Sequence, residues 1–384
     1  MDETPFLELA RQILPLPTAP FHEHLVMAAV EAFASTRPAL RLRRDRVGNL
    51  LLLYTHAKAA RRPMLIAQAH LDHPGLGFPQ PLAPGEYFFE KLGGVDPAQV
   101  LGHGVRLYDQ RGSARQRGWR GRVGAAHTEG GVEGLVVSVD PKARLGPGWF
   151  GMWDLPPLRR RGHLLYGRAC DDLAGVVAGL AFLDALCRQE APVRAGLLLT
   201  RAEEVGFAGL LEAAHQGSLD GQAIYLNLEC SSARAGPAIG GGPIVRVGDR
   251  ANLFDPGLSS GIALVAGELA QAEPGFRFQR KLMDAGSCEA SVFCSAGLRA
   301  GALAIPLGNY HNKGDGALAP EFIHLSDGVG LVRLLCRLAL EPGGLARAVA
   351  RAAAQVAQSM EARRRHFRTR LRQTTNRHLE GEGS

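Results

Sequence analysis

Cysteine is scarce in this chain of 384 residues: there are six, Cys170, Cys187, Cys230, Cys288, Cys294 and Cys336, and no Cys-x-x-Cys pair among them. That excludes a disulfide framework and makes reduced thiols and cytoplasmic residence the expectation. Long apolar runs are missing too; no stretch reaches the length of a membrane span. The start, Met1-Asp2-Glu3-Thr4, is acidic and has no basic-then-apolar signal pattern. Lysine is almost absent, five of the 44 basic residues, an Arg-for-Lys usage that reflects genome composition rather than function. The formal charge of +7 is concentrated late in the chain, in Arg347, Arg351, Arg363, Arg364, Arg365, Arg368, Arg370 and Arg372. Without that tail the body is near neutral, so no nucleic-acid footprint is expected on it. Internal repeats are absent as well.

What is there is a 46% hydrophobic composition, enough for a sizeable core. The apolar runs Leu50–Tyr54, Pro63–Ala69, Ala195–Thr200, Ala223–Leu228 and 300–305 read as strands. Residues 22–36, 171–186, 207–216 and 327–340 read as helices between them. Strands alternating with helices predict an α/β fold with a mainly parallel sheet flanked by helices. Between Pro74 and Gly162 the texture changes to glycine, proline and short alternating segments such as Gly104–Tyr108 and Gly134–Val139. This predicts an inserted small β-barrel. The expected organisation is therefore residues 1–73 and 163–340 as a split catalytic domain, 74–162 as the insertion, and 341–384 as a basic helical tail. Leu345, Val349, Ala352, Val356, Met360, Phe367 and Leu371 mark an apolar stripe on that tail, as for a helix lying on the body or a neighbouring subunit. Its tip, Leu379–Ser384, reads as disordered.

The chemistry-bearing residues gather at strand ends. Glu203 and Glu204 follow a buried run directly, where two adjacent acids are costly unless something positive meets them. Val205-Gly206 supplies a turn that lets both converge. His70 and Asp72 are two apart at another strand end and point the same way, so one can ligate while the other orients it. Asp171-Asp172 opens a helix; one acid suffices as a cap, leaving the other free to bridge two cations. Glu229 ends a further strand, and His311 follows the last. Each alone has an ordinary surface explanation. Together they lie on the side where α/β sheets bind ligands, and they read as a two-metal hydrolytic centre.

The same residues resemble the tetrahedral-aminopeptidase family of co-catalytic dinuclear metallopeptidases, also labelled glutamyl aminopeptidase or endoglucanase-M-like. The matching pieces run in order across about residues 13–330. They are Pro17–Glu23, Asp45-Arg46-Val47-Gly48-Asn49-Leu50, Ala69–Asp72, Lys91–Pro97, Asp171-Asp172, Glu203–Gly206 and Tyr310-His311. Leu173, Glu229 and Ser287-Cys288-Glu289-Ala290 depart from it, where arginine, aspartate and Gly-Thr-Asp-Ala are usual.

The resemblance implies a zinc-exopeptidase-like fold with two divalent ions, zinc in the first place, cobalt or manganese otherwise. One ion is expected on His70, Asp171 and Glu229, the other on Asp171, Glu204 and His311. Glu203 is the expected general base, and Asp72 the residue behind His70. The implied reaction is release of N-terminal residues from short peptide or amide substrates. Glutamate at 229 keeps a deacylase or carboxypeptidase on N-acyl substrates as the alternative, and a metal-bound scaffold without activity as a remote one. A glycosidase would use two bare carboxylates and no metal. The resemblance also implies homo-oligomers, from dimer to dodecamer, built through the inserted domain.

Overall fold

The computed structural model describes residues 3–59, 63–113, 117–283 and 286–380. Its centre is an 11-stranded sheet. Strands Arg194–Thr200, Leu65–His70, Ile224–Ser232 and Arg299–Gly308 run parallel in that spatial order. These are the apolar runs of the sequence, and they are buried along nearly their whole length, as expected for strands covered on both faces. The sheet as a whole is mixed. Leu40–Arg44 and Leu50–Thr55 extend one flank antiparallel, and Glu321–His324, Leu164–Gly167 and Leu158–Arg161 extend the other. The expected parallel arrangement thus holds for the central four strands, while the flanks are hairpins and returns that need no crossover helix.

Helix Leu173–Arg188 lies under the central strands with almost every side chain buried, as befits a helix that is apolar all round. Helices Thr4–Ile13 and Leu325–Ala339 cover it from outside. On the opposite face, helices Ala208–His215 and Glu289–Ser295 close over Met64, Ile66, Leu198 and Tyr225, with Tyr225 stacked on Phe293 at 4.3 Å.

Strands Gly75–Ala83, Glu86–Leu92, Gly104–Asp109, Trp119–Glu129, Val132–Val139 and Trp149–Trp153 form a closed barrel with its own core, including Leu76, Phe89, Val105, Leu135 and Trp153. It meets the sheet domain where Arg168 donates to Tyr108 Oη at 2.5 Å and where His22 stacks on Phe150 at 5.1 Å.

Among the described residues, the last helix, Gly344–Glu380, is buried at its first turns. Leu345, Ala348 and Ala352 are buried, and Val349 lies against Gly257 and Gly261 of helix Pro256–Ala272. Beyond that point the apolar stripe leaves the body: Val356, Met360, Phe367 and Leu371 are all exposed. Residues 379–380, expected to be disordered, continue the helix; 381–384 lie outside the described residues. Among the described residues, no helix is long and apolar enough to cross a membrane.

Candidate metal centre

Parallel pairing brings the C-terminal ends of the central strands to one edge of the sheet. His70 closes its strand opposite Thr200, and Glu229 sits opposite Ala304. Past Thr200 the chain turns through Gly206, whose φ of +103° suits glycine and whose N–H donates to Glu203 O at 2.9 Å. Asp172 caps the helix that follows it by accepting from Gly175 N at 3.1 Å. A Cβ at Gly175 would fall 2.3 Å from that carboxylate. Asp171 is thereby spared capping and faces the other ligands.

Asp171 divides its two oxygens. Oδ1 is 3.6 Å from His70 Nε2, and Oδ2 is 3.7 Å from His311 Nε2. Glu204 Oε1 is 3.2 Å from His311 Nε2, and Glu203 Oε2 is 3.9 Å from His70 Nε2. Two sets of ligand atoms each fit within 4.8 Å, His70–Glu203–Glu229 and Asp171–Glu204–His311; a third set is Asp171–Asp172–Cys230. The second matches the expected group. In the first, Glu203 stands where Asp171 was expected, while Asp171 Oδ1 faces the same imidazole. All seven residues singled out in the sequence, Glu203, Asp72, His70, Asp171, Glu204, Glu229 and His311, therefore converge on this edge.

Both imidazoles present the same nitrogen. His70 Nδ1 lies 3.1 Å from Asp72 O, and His311 Nδ1 lies 3.2 Å from Gly94 O at the rim of the barrel. A carbonyl only accepts, so Nδ1 carries the proton and Nε2 offers its lone pair to the centre. The Asp72 carboxylate lies beside the His70 ring and has a further task. Its Oδ1 is 3.6 Å from His70 Nδ1, whereas it accepts Glu203 N at 3.0 Å and Glu204 N at 3.1 Å. It holds the loop of the two glutamates. Glu23 holds the same loop from behind, accepting Ala202 N at 2.9 Å and pairing with Arg201 at 2.8 Å.

Sequence reasoning missed Glu321. Fully buried, it accepts Cys170 N at 2.7 Å and Asp171 N at 3.0 Å on Oε2, and His311 N at 2.8 Å on Oε1. One carboxylate thus fixes two ligand-bearing segments. His73 adds a contact from Nδ1 to Asp171 O at 2.6 Å. The only hint in the sequence was an acid directly before the apolar Phe322-Ile323, which reads as an ordinary strand start.

The electrostatics are those of a dry crowd of acids. Burial, then neighbouring carboxylates, push Glu203 well above the usual range, and burial lifts Glu229 to about 8. Burial alone would depress both histidines. The facing carboxylates overcome it, Glu203 foremost at His70 and Glu204 at His311, raising the first well above its ordinary value and the second to about 9. Asp171 Oδ1, Glu204 Oε1, Glu229 Oε1 and His311 Nε2 are buried without a hydrogen bond. Leaving four such atoms unpaired is expensive unless cations satisfy them, and the mixed imidazole and carboxylate donor set fits divalent metals.

A model of the M42 glutamyl aminopeptidase family matches residues 140–324, a span that contains Asp171, Glu203, Glu204, Glu229 and His311. Comparison with curated proteins found no match. Among solved structures, the chain is similar to the TET1 peptidase of Pyrococcus horikoshii, described as assembling into a tetrahedron or a large octahedral shell. Identity is 20%, with 88% of this chain and 100% of that one covered at a TM-score of 0.70. It is similar to the aminopeptidase APDkam598 of the archaeon Desulfurococcus kamchatkensis at 21% identity, covering 88% and 96% at a TM-score of 0.73. The TET aminopeptidase of a marine sediment Thaumarchaeota archaeon is 18% identical, with 90% and 99% covered and a TM-score of 0.73. At these identities the structures establish a shared fold.

Proposed function

We propose that this chain, whose residues 140–324 match a model of the M42 glutamyl aminopeptidase family, is a dinuclear metal-dependent aminopeptidase in which Glu203 is the general base. The observation that carries the reading is the divided Asp171 carboxylate, with one oxygen toward His70 and the other toward His311. His70, Asp171 and Glu229 would hold one divalent ion, and Asp171, Glu204 and His311 the other. Ions held by these residues would supply a water of lowered pKa and polarisation of the scissile carbonyl. Zinc suits these ligands, as do cobalt and manganese.

The remaining steps belong to the protein. Glu203 takes a proton from the attacking water and delivers it to the amine nitrogen as the C–N bond breaks and a C–O bond forms. Asp72, by holding Glu203 N and Glu204 N together, keeps the proton carrier beside a ligand while leaving its own carboxyl out of the chemistry. The barrel contributes Gly94 O, which fixes the His311 tautomer. The product is a free N-terminal amino acid from a short peptide. TET relatives described as tetrahedral or octahedral support a homo-oligomer of this chain as well.

Glu203→Gln tests the base directly. Metal content is expected to persist while kcat falls by about 10²–10⁴; a rate close to wild type would remove Glu203 from the role. Free-amine anilides compared with N-acylated ones test the substrate class. Turnover of the acylated set alone would replace the aminopeptidase with a deacylase.

A further inference from the structure

Past Ala352 the side chains of the last helix are exposed through residue 375, with Glu361 half so. That free length is about 30 Å. Val356, Met360, Phe367 and Leu371, spaced by four, seven and four, keep to one side of it and are between 47% and 65% exposed. Arg364, Arg368 and Arg372, four apart, run along one shoulder of this stripe, and Arg363 and Arg370, seven apart, along the other. On the opposite face Gln358, Ala362, Thr369 and Gln373 carry no charge, and Arg365 lies among them.

This charge is not met within the chain. In the body, arginines find acids: Arg201 pairs with Glu23 at 2.8 Å and Arg106 with Asp154 at 2.7 Å. Even Arg246 of strand Ile244–Gly248, whose charge burial opposes, is favoured by Cys288, Glu229 and Asp249 nearby. On the free helix Glu361 is the one acid between residues 354 and 375, and Arg364 and Arg365 share it. Among the described residues, no acid pairs with Arg363, Arg368, Arg370 or Arg372.

The charge and the stripe together select the occupant. The same helix of a second copy would set arginine shoulder against arginine shoulder, six arginines facing six with one glutamate on each side. A nucleic acid would meet the arginines and leave the apolar stripe in water. A surface that is anionic at its rim and apolar beneath satisfies both. The stripe enters the acyl boundary, the arginine stems run outward beside it, and the guanidinium forks match phosphate oxygens. We propose that residues 353–375 form an amphipathic arm that lays this protein on an anionic lipid bilayer surface, without spanning it.

The full chain is floated with vesicles of phosphatidylglycerol and phosphatidylcholine in equal parts, and with phosphatidylcholine alone. Wild type is expected to bind the anionic vesicles about 10²–10³-fold more tightly, the advantage shrinking as salt rises. Phe367→Gln with Leu371→Gln keeps every arginine and should weaken that binding about 10–100-fold. Arg368→Gln with Arg372→Gln should weaken it about 10–30-fold, and a stop after residue 353 should abolish it. All these positions are exposed, so the unfolding transition of each variant should match wild type. Equal binding to both kinds of vesicle, or binding kept by the truncated chain, overturns the arm. Binding indifferent to Phe367→Gln with Leu371→Gln overturns it too, since it is then a general attraction for polyanions. A wild-type particle that ignores vesicles and loses mass on truncation assigns the stripe to a neighbouring subunit instead.

Discussion

The candidate metal centre and the C-terminal helix are both dense in charge, but they hold it in opposite ways. At the centre, His70, Asp171, Glu203, Glu229 and His311 are buried, and their backbones are tied by acceptors from distant parts of the chain. On the helix, Arg364 and Arg365 share the exposed Glu361 one turn away, at 2.6 and 2.8 Å. Exposed pairs of that kind contribute little, because water and salt screen them. Charge density alone therefore does not mark chemistry in this chain. Charge that the fold keeps dry does.

The centre itself divides into two halves with different supports. Asp72 ties the loop carrying Glu203 and Glu204, and Glu321 ties Asp171 to His311. Removing the first disturbs the proposed base, so Asp72→Ala is expected to lower kcat by about 10²-fold, the scale of a misplacement near 1 Å. A smaller loss of kcat than of metal affinity would assign Asp72 to the ligands instead. Glu321→Ala disturbs ligands only. Metal affinity, read by competition with a chelator, should weaken about 10–100-fold. Retention of wild-type affinity would show that His73 and local backbone suffice to place Asp171.

The tail supplies the weaker contrasts. Gly261→Ala would put a Cβ 3.0 Å from Val349 N, forcing the docked base of the last helix to shift. A net cost of about 1–2 kcal/mol is expected in denaturant unfolding, overpacking outweighing the gain in helix propensity. Among the residues whose burial is described, a stop after residue 353 removes exposed side chains and the half-exposed Glu361. It should change the stability of the chain by less than about 0.5 kcal/mol. A larger loss, or a fall in the mass of the particle by light scattering, would assign the exposed stripe to subunit contact.

Legibility in the sequence follows the same division. The central strands could be read because buried strands need continuous apolar runs, and Leu65–His70 and Arg194–Thr200 are such runs. His70, Glu203 and Glu229 stood out by interrupting or ending them. Of the antiparallel flanks, Leu158–Arg161 was hidden because it is short and mostly exposed. Glu321 and Arg246 were hidden for another reason. A single charged residue beside apolar neighbours, as in Ile244-Val245-Arg246-Val247, is the usual pattern of a half-exposed strand.

The sequence by itself determined the types and order of the proposed ligands and the insertion between His70 and Asp171, because these depend on which residues follow which apolar run. Tertiary structure alone decided which acid does what. Asp172 caps while Asp171 faces two imidazoles, the Asp72 carboxylate holds the backbone of the two glutamates, and Glu321 and Arg246 enter from strands far along the chain. The physical reason is that a carboxylate's role depends on which donors reach it. In a buried site those donors come from segments brought together only when the sheet pairs.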